Sequence, residues 1–456
     1  MSQNGQPETT GQSGQSGSSL SSPEIARRYI EYFRARNHLE IAGASLAGSE
    51  GTLFVIAGMQ PLLPWLRGET PPPAPRLAAV QRCLRMDDAD SVGVNGRKLS
   101  SFNMLGNWSI GDYGRREAIG FADDLLTEFG VDRSALWVTV FAGDAEAGLP
   151  PDEATIEEWR RIGQPPERIV PLGSDDNLWT MNGPGPCGPD TEMFIDRGEA
   201  LGCGLPDCRP GCSCERFLEF WNLVFIEYEW QPDGRYTPLP LRSVDTGMGL
   251  ERIAAVSQNP ATLFDTDLFA GAQQRLAELG PGVSKAGESP ERQRARRVIV
   301  DAARSALYIG LAGVVPHRDG RGSVLRRLIR RAARQGRTLG IEQPFLGELV
   351  APLIERGEDL FSPDERERAL IIATLLTGEE RGFARMLRSA LPLLDRMRPD
   401  SGEVISGEDL FRLHAERGFP ADLAAEILAE RGLQVDWPGF EAAMARHHAI
   451  SRGSEP

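Results

Sequence analysis

The hydrophobic pattern of the chain changes period once, near residue 256. Before that point, short β-rich runs at residues 52–56, Leu136–Phe141, 192–195 and 217–228 alternate with Gly/Pro loops and a few helices. From about residue 260 onward, the apolar residues recur at helical spacing and strand signals are few. This pattern predicts an α+β fold, an antiparallel β-sheet domain flanked by helices and followed by an all-helical region. The length agrees, since 456 residues correspond to two or three domains of roughly 150 residues. Residues 1–22 are Gln, Gly, Ser, Asn and Thr with almost no apolar content, and are expected to form a disordered tail. Ser22 is expected to cap a helix, with Pro23 in its first turn and Ile25, Tyr29, Ile30 and Phe33 on one face. The expected domains are therefore 1–22, 23–256 and 257–456, with residues 71–75 as a stiff Pro loop beside the sheet.

Within the helical part, Leu325, Leu328, Ile329, Ala332 and Ala333 define one face of a helix that Gly336 is expected to close. Residues 364–397 and 407–431 read as further helices, broken at Gly418-Phe419-Pro420. Charge is concentrated in the same region. The whole chain carries −15, yet residues 291–337 hold thirteen Arg against three acids, a local +10 within a body of −25. Arg321, Arg326, Arg327, Arg330, Arg331 and Arg334 are candidates for contacting a phosphate backbone, and a solvated helix face is the equal alternative on charge alone. No run of 18 apolar residues exists and the N-terminus lacks a cationic start and an apolar segment, so neither a membrane span nor a signal peptide is expected and the location is read as cytoplasmic.

Four stretches carry chemistry. Residues 243–252, Ser-Val-Asp-Thr-Gly-Met-Gly-Leu-Glu-Arg, use glycines to bring strand and helix close and aim Arg252 at a polyphosphate. Arg85, followed after a polar loop by Phe102 on a returning strand, supplies a cation for an α-phosphate and a ring for a base. The third stretch holds Asp176, Trp179 and Glu192. In the fourth, Asn222 alternates with Phe220 and Val224, so it faces the same side of a sheet and needs a polar partner there. Separately, Cys203, Cys208, Cys212 and Cys214 crowd into twelve residues among Gly and Pro, the pattern of a closed structural Cys₄ zinc knuckle, while Cys83 and Cys187 read as core or loop residues.

These stretches, in this order, resemble the catalytic core of the alanyl-tRNA synthetases, a family of class II aminoacyl-tRNA synthetases, from about residue 23 to 450. The resemblance implies a six-stranded antiparallel catalytic sheet and a helical tRNA-recognition region. It implies Arg85 on the α-phosphate of ATP, Phe102 against adenine and Arg252 at the γ-phosphate. It also implies Asp245 and Asn222 on the ammonium group of the amino acid, with Trp179, Val224 and Gly247 around a small side chain. ATP, Mg²⁺ bridging its phosphates and Zn²⁺ in the knuckle are the implied cofactors. Glu192 and Asp176 are weaker candidates for contacts to Mg²⁺ or water. The implied reaction joins alanine, or a similarly small amino acid, to ATP and transfers it to a tRNA acceptor stem. Neither DNA nor a membrane is an expected partner.

The sequence departs from the family in four ways. The family's editing and C-terminal domains lie beyond the resemblance, which reads as a truncated paralogue that does not clear mischarged product in cis. A monomer is expected, because the family's dimer contacts lie largely in the C-terminal part. The loop 86–98 is short and acidic, with Asp87, Asp88 and Asp90 in place of basic residues and Lys98 as a substitute cation. The family's readers of the acceptor-stem G·U pair are replaced, with Ala415 at the Asp position and residues 317–322 in place of an Asn-rich turn. Ile56 stands at a usual Asn position. The lost readers keep a second function open: an adenylating paralogue that hands the amino acid to a carrier protein or small molecule.

Overall fold

The computed structural model describes residues 19–48, 51–89, 91–181, 183–280, 288–399, 402–429 and 431–451. Most of the expected tail, Asp90 and Lys285 lie outside these residues. Helix Ser22–Arg34 is the first element among the described residues, and the capping hydroxyl belongs to Ser21, which accepts from the backbone N–H of Glu24. Ser22, expected as the cap, instead donates from its backbone N–H and its hydroxyl to Asp267, at 2.7 and 2.5 Å. The apolar face is as read, with Ile25, Tyr29, Ile30 and Phe33 all buried.

The strand-rich part builds one nine-stranded sheet. Its strands are β1 (Leu39–Glu40), β2 (Arg76–Leu84), β3 (Ser101–Ile110), β4 (Leu136–Phe141), β5 (Ile169–Leu172), β6 (Leu178–Trp179), β7 (Gly185–Asp196), β8 (Phe217–Trp230) and β9 (Tyr236–Gly249). They lie in the order β1-β2-β3-β9-β8-β7-β4-β5, with β6 paired to β7. All pairs are antiparallel except β1–β2 and β4–β5. The sheet is therefore wider than the six strands expected, and mixed at both edges. Residues 52–56 are not a strand. Gln60 accepts from the backbone N–H of Ile56 and donates to Thr52 Oγ1, and Val55 bonds singly to Leu46 and Leu84, so no strand ladder forms.

Strand alternation gives the sheet two different faces. On one, Leu105, Trp221, Leu223, Phe225, Val244 and Met248 pack with residues of helices Ser22–Arg34, Arg115–Glu128 and Leu250–Gln258 in a large core. The other face carries Trp108, Val224 and Ile226 in a smaller core and leaves room for a cavity. Beneath the first face, Tyr29 Oη donates to Asn107 Oδ1 and Asn107 Nδ2 donates to Tyr113 Oη, at 2.8 and 2.9 Å, so these buried polar groups are satisfied.

The chain divides into two compact units, Met1–Gln274 with Pro352–Pro363, and Arg275–Ala351 with Asp364–Pro456. Residue 256, the expected boundary, lies inside helix Leu250–Gln258 of the first unit. The second unit contains helices Pro290–Leu311, Gly320–Thr338, Gly407–Arg417, Ala421–Ala429 and Trp437–Ser451, and nearly all of helix Pro363–Leu394. It is not wholly helical, since β10 (Val404–Ile405) and β11 (Gln434–Val435) form a short parallel pair. Gly418 ends its helix in the left-handed region at φ 63°, a conformation glycine adopts without a Cβ clash. Gly336 does not end a helix. Helix Gly320–Thr338 runs past it, and Gly336 is glycine because a Cβ there would collide with the Phe345 ring.

Candidate active site

One cavity of about 560 Å³ opens on the free face of the sheet, within the first unit. Arg85, Phe102, Trp179, Asn222, Val224, Asp245, Gly247 and Arg252 all line it. The sheet register explains how residues up to 167 positions apart meet. Asp245 pairs with Trp108 on β3 and Val224 on β8, Gly247 pairs with Gly106 and Asn222, and Asn222 pairs with Glu192 on β7. A Cβ on Gly247 would lie 2.8 Å from Met104 Sδ, so a larger residue there would have to push the Met104 side chain aside.

At one end of the cavity, Arg85 Nε donates to the Ile56 carbonyl at 3.0 Å, and its guanidinium carbon lies 5.0 Å from the centre of the Phe102 ring. The Ile56 contact is made by the backbone, so the apolar side chain at this position does not disturb it. Nη1 and Nη2 of Arg85 keep no partner among the described residues. Arg252 Nη1 is held by the Glu219 carbonyl at 3.0 Å and carboxylate at 2.8 Å. Lys98, the expected substitute cation, lines the cavity but is paired with Asp88 at 3.1 Å.

Asp245 is 6% exposed and receives Trp108 Nε1–H on Oδ1 at 2.6 Å. Burial pushes its carboxyl up to about 7, and the Trp108 bond offsets this only in part. Asp190 is also raised to about 7 by burial, against hydrogen bonds from Asn177 and Asn222 and with the charges of Glu219 and Asp176 adding to the rise. Glu192 lies well above its ordinary value through burial and then through Glu219 and Asp190. Glu219 moves the other way: burial opposes ionisation, but Arg252 beside it brings the carboxyl below its usual range. Asp176 lines the same cavity.

Sequence reasoning assigned no role to Trp108, Asp190, Glu219 or Arg97. Trp108 had a signal, because Phe102, Met104, Gly106 and Trp108 alternate onto one face. Arg97 lines the cavity and ties its loop to the following turn, donating to Ser213 O at 2.7 Å and Phe217 O at 3.3 Å.

That turn, between β7 and β8, holds the cysteine cluster. The ligand sulfurs of Cys203, Cys208, Cys212 and Cys214 lie within 4.8 Å of one another, with Cys208–Cys214 at 3.5 Å and Cys203–Cys212 at 3.6 Å. Four thiolates about 2.3 Å from a tetrahedral zinc sit ~3.8 Å apart, so this donor set fits the metal with small side-chain adjustments. None of the four is in a disulfide, and Arg216 closes the neck of the turn on Asp196 at 2.7 Å. The purified protein is expected to carry about one zinc per chain by elemental analysis, lost together on Cys208→Ser and Cys212→Ser; less than about half an equivalent contradicts the assignment. Cys83 and Cys187 are buried away from this cluster, as expected.

In the second unit, the arginine helix Gly320–Thr338 buries Leu325, Leu328, Ile329 and Ala332 as its apolar face predicts. Its cations are less available than their number suggests. Arg326 and Arg330 share Glu379, at 3.1 and 3.0 Å, and Arg334 pairs with Glu426 at 2.5 Å. Arg321 and Arg331 are half-buried, while Arg327 is exposed. His447 and His448 are exposed on the last helix, and Ala415 is exposed on helix Gly407–Arg417. No helix among the described residues is long and apolar enough to cross a membrane.

The cavity thus brings two arginines, an aromatic ring and a buried carboxyl group together on one face of the sheet. The family model for tRNA synthetases class II (A) matches residues 24–456, and the chain belongs to that family. It is similar to the Alanine--tRNA ligase of Acetivibrio thermocellus, 39% identical over 437 residues that cover 94% of this chain and 48% of that protein. It is also similar to the Alanine--tRNA ligase of Desulforudis audaxviator, 40% identical over 444 residues covering 95% and 49%. The chain spans about half the length of the curated relatives it matches.

Proposed function

We propose that this chain activates alanine with ATP to alanyl-adenylate and transfers the alanyl group to tRNA. The observation that carries this reading is the convergence of all eight candidate residues on one cavity. Asp245 and the Asn222 amide take the ammonium group, a carboxylate and a neutral acceptor for a cation. Trp179 and Val224 wall a space for a methyl side chain, which discriminates against one further methylene by about 1–3 kcal/mol. Phe102 stacks on adenine and Arg85 meets the α-phosphate. Arg252 meets the γ-phosphate.

The alanine carboxylate is already ionised, so no general base is needed. One carboxylate oxygen attacks the α-phosphorus, and the bond to the bridging oxygen breaks with its electron pair leaving on pyrophosphate. Arg85 and Arg252 stabilise the charge that develops, and positioning supplies the remainder. Glu192 and Glu219 offer hard oxygen donors that would fit Mg²⁺, whose charge would offset the burial and the neighbouring carboxylates that raise Glu192 above its ordinary range. Mg²⁺ supplies charge neutralisation on the phosphates when bound. Zinc in the cysteine turn would brace the loop that carries Arg97.

The arginine helix supplies cations for the acceptor stem, with Arg327 the exposed member. Phosphate contacts position an RNA without reading its sequence. Amino-acid-dependent ATP–pyrophosphate exchange across all amino acids, followed by transfer to total tRNA, tests the reading. Exchange without tRNA charging would favour a non-tRNA acceptor.

A further inference from the structure

We infer that Asp190 is a positioning residue that fixes which end of the Asn222 amide meets the amino acid. The inference rests on the proposed activation of alanine and adds the device that prepares its ammonium site. Asp190 is 1% exposed on β7, two residues before Glu192 and directly across from Val224. It receives Asn177 Nδ2–H on Oδ1 at 2.7 Å and Asn222 Nδ2–H on Oδ2 at 3.0 Å. Asn222 Oδ1 is buried with no hydrogen-bond partner in the protein.

An amide side chain has one accepting end and one donating end, and it can turn over about its last torsion. An ammonium group only donates. Asn222 therefore serves a cationic substrate only when its oxygen faces the cavity, and the flipped amide would set N–H groups against N–H groups. In its ionised form Asp190 only accepts, so it then bonds to Asn222 solely through the NH₂ end. Asp190 thereby turns the Asn222 oxygen away from itself. Asn177 holds the carboxylate in place, and its second N–H is spent on Thr139 Oγ1 at 2.9 Å. The Asn222 oxygen is buried without a partner in the protein, which is costly, and an ammonium group would satisfy it.

Asp190→Asn keeps the shape but offers either end of an amide to Asn222, so the commitment is lost. The expected result is a KM for alanine raised ~10- to 100-fold in exchange, with the KM for ATP within about twofold of wild type. A structural role would shift both constants or the melting temperature. Asn222→Ala removes the group through which Asp190 acts, so in that background Asp190→Asn is expected to add little further loss. An unchanged KM for alanine in Asp190→Asn, or losses that simply multiply in the double variant, would overturn the inference while leaving the proposed function standing. A wild-type protein inert toward every small amino acid would overturn the function and the inference with it.

Discussion

Replacing Asp245 with Ala will lower kcat/KM for alanine in ATP–pyrophosphate exchange ~100- to 1000-fold, the size of effect seen when one partner of a buried charge pair is truncated. The carboxylate is the anionic half of the ammonium site, and Trp108 Nε1–H occupies one of its oxygens, leaving the other for substrate. The fold will persist. Burial alone raises this carboxyl to about 7, so the folded protein gains little from its charge, and removing it removes a desolvation cost. The indole N–H loses its partner, which costs on the order of 1–3 kcal/mol unless water replaces it. The same site sets a pH dependence. A carboxylate with a raised pKa is charged above that value and neutral below it, so the KM for alanine rises as pH falls from 8 to 6. Asp190, also raised to about 7, pushes in the same direction. Full exchange activity in Asp245→Ala, measured alongside an unchanged melting curve, would remove the ammonium assignment.

The second large effect is expected at Arg252. Substitution by Ala will lower kcat in exchange ~100- to 1000-fold, as loss of a charge-stabilising group in a preorganised site does. The acidic lining of the cavity makes this position sensitive. Glu219 and Glu192 both feel the Arg252 charge, and without it their repulsion is uncompensated beside an incoming triphosphate. Arg252→Lys retains charge but loses the fork that grips Glu219 and a phosphate together, and is expected to recover only a small part of the rate. Rapid exchange by Arg252→Ala at saturating ATP would contradict the role.

Much of the site was legible because its signals are local. The Gly-Met-Gly-Leu-Glu-Arg run, the Arg85 to Phe102 return and the alternation around Asn222 each sit on one strand or turn, where period and residue type decide the direction of a side chain. The partners were not legible. Trp108 reaches Asp245 across 137 positions and Asp190 reaches Asn222 across 32, and both contacts depend on strand register, which is set by pairing between distant segments. The same limit applies to charge. The count of arginines in residues 291–337 suggested an open cationic surface, but Glu379 and Glu426, supplied by other helices, engage three of the six named. Residues 52–56 have strand composition, yet Gln60 a few positions later binds the Ile56 N–H and the Thr52 hydroxyl, and Val55 bonds singly to Leu46 and Leu84. Gly336 looked like a helix stop because a buried close approach and a helix end both select glycine.

The most direct measurement of the central claim is the coupled assay: exchange with each amino acid in turn, then charging of total tRNA with the amino acid that exchanges. The account predicts that alanine supports the fastest exchange and that labelled alanine becomes attached to tRNA in the same preparation. Absence of exchange with alanine and every other small amino acid would contradict it.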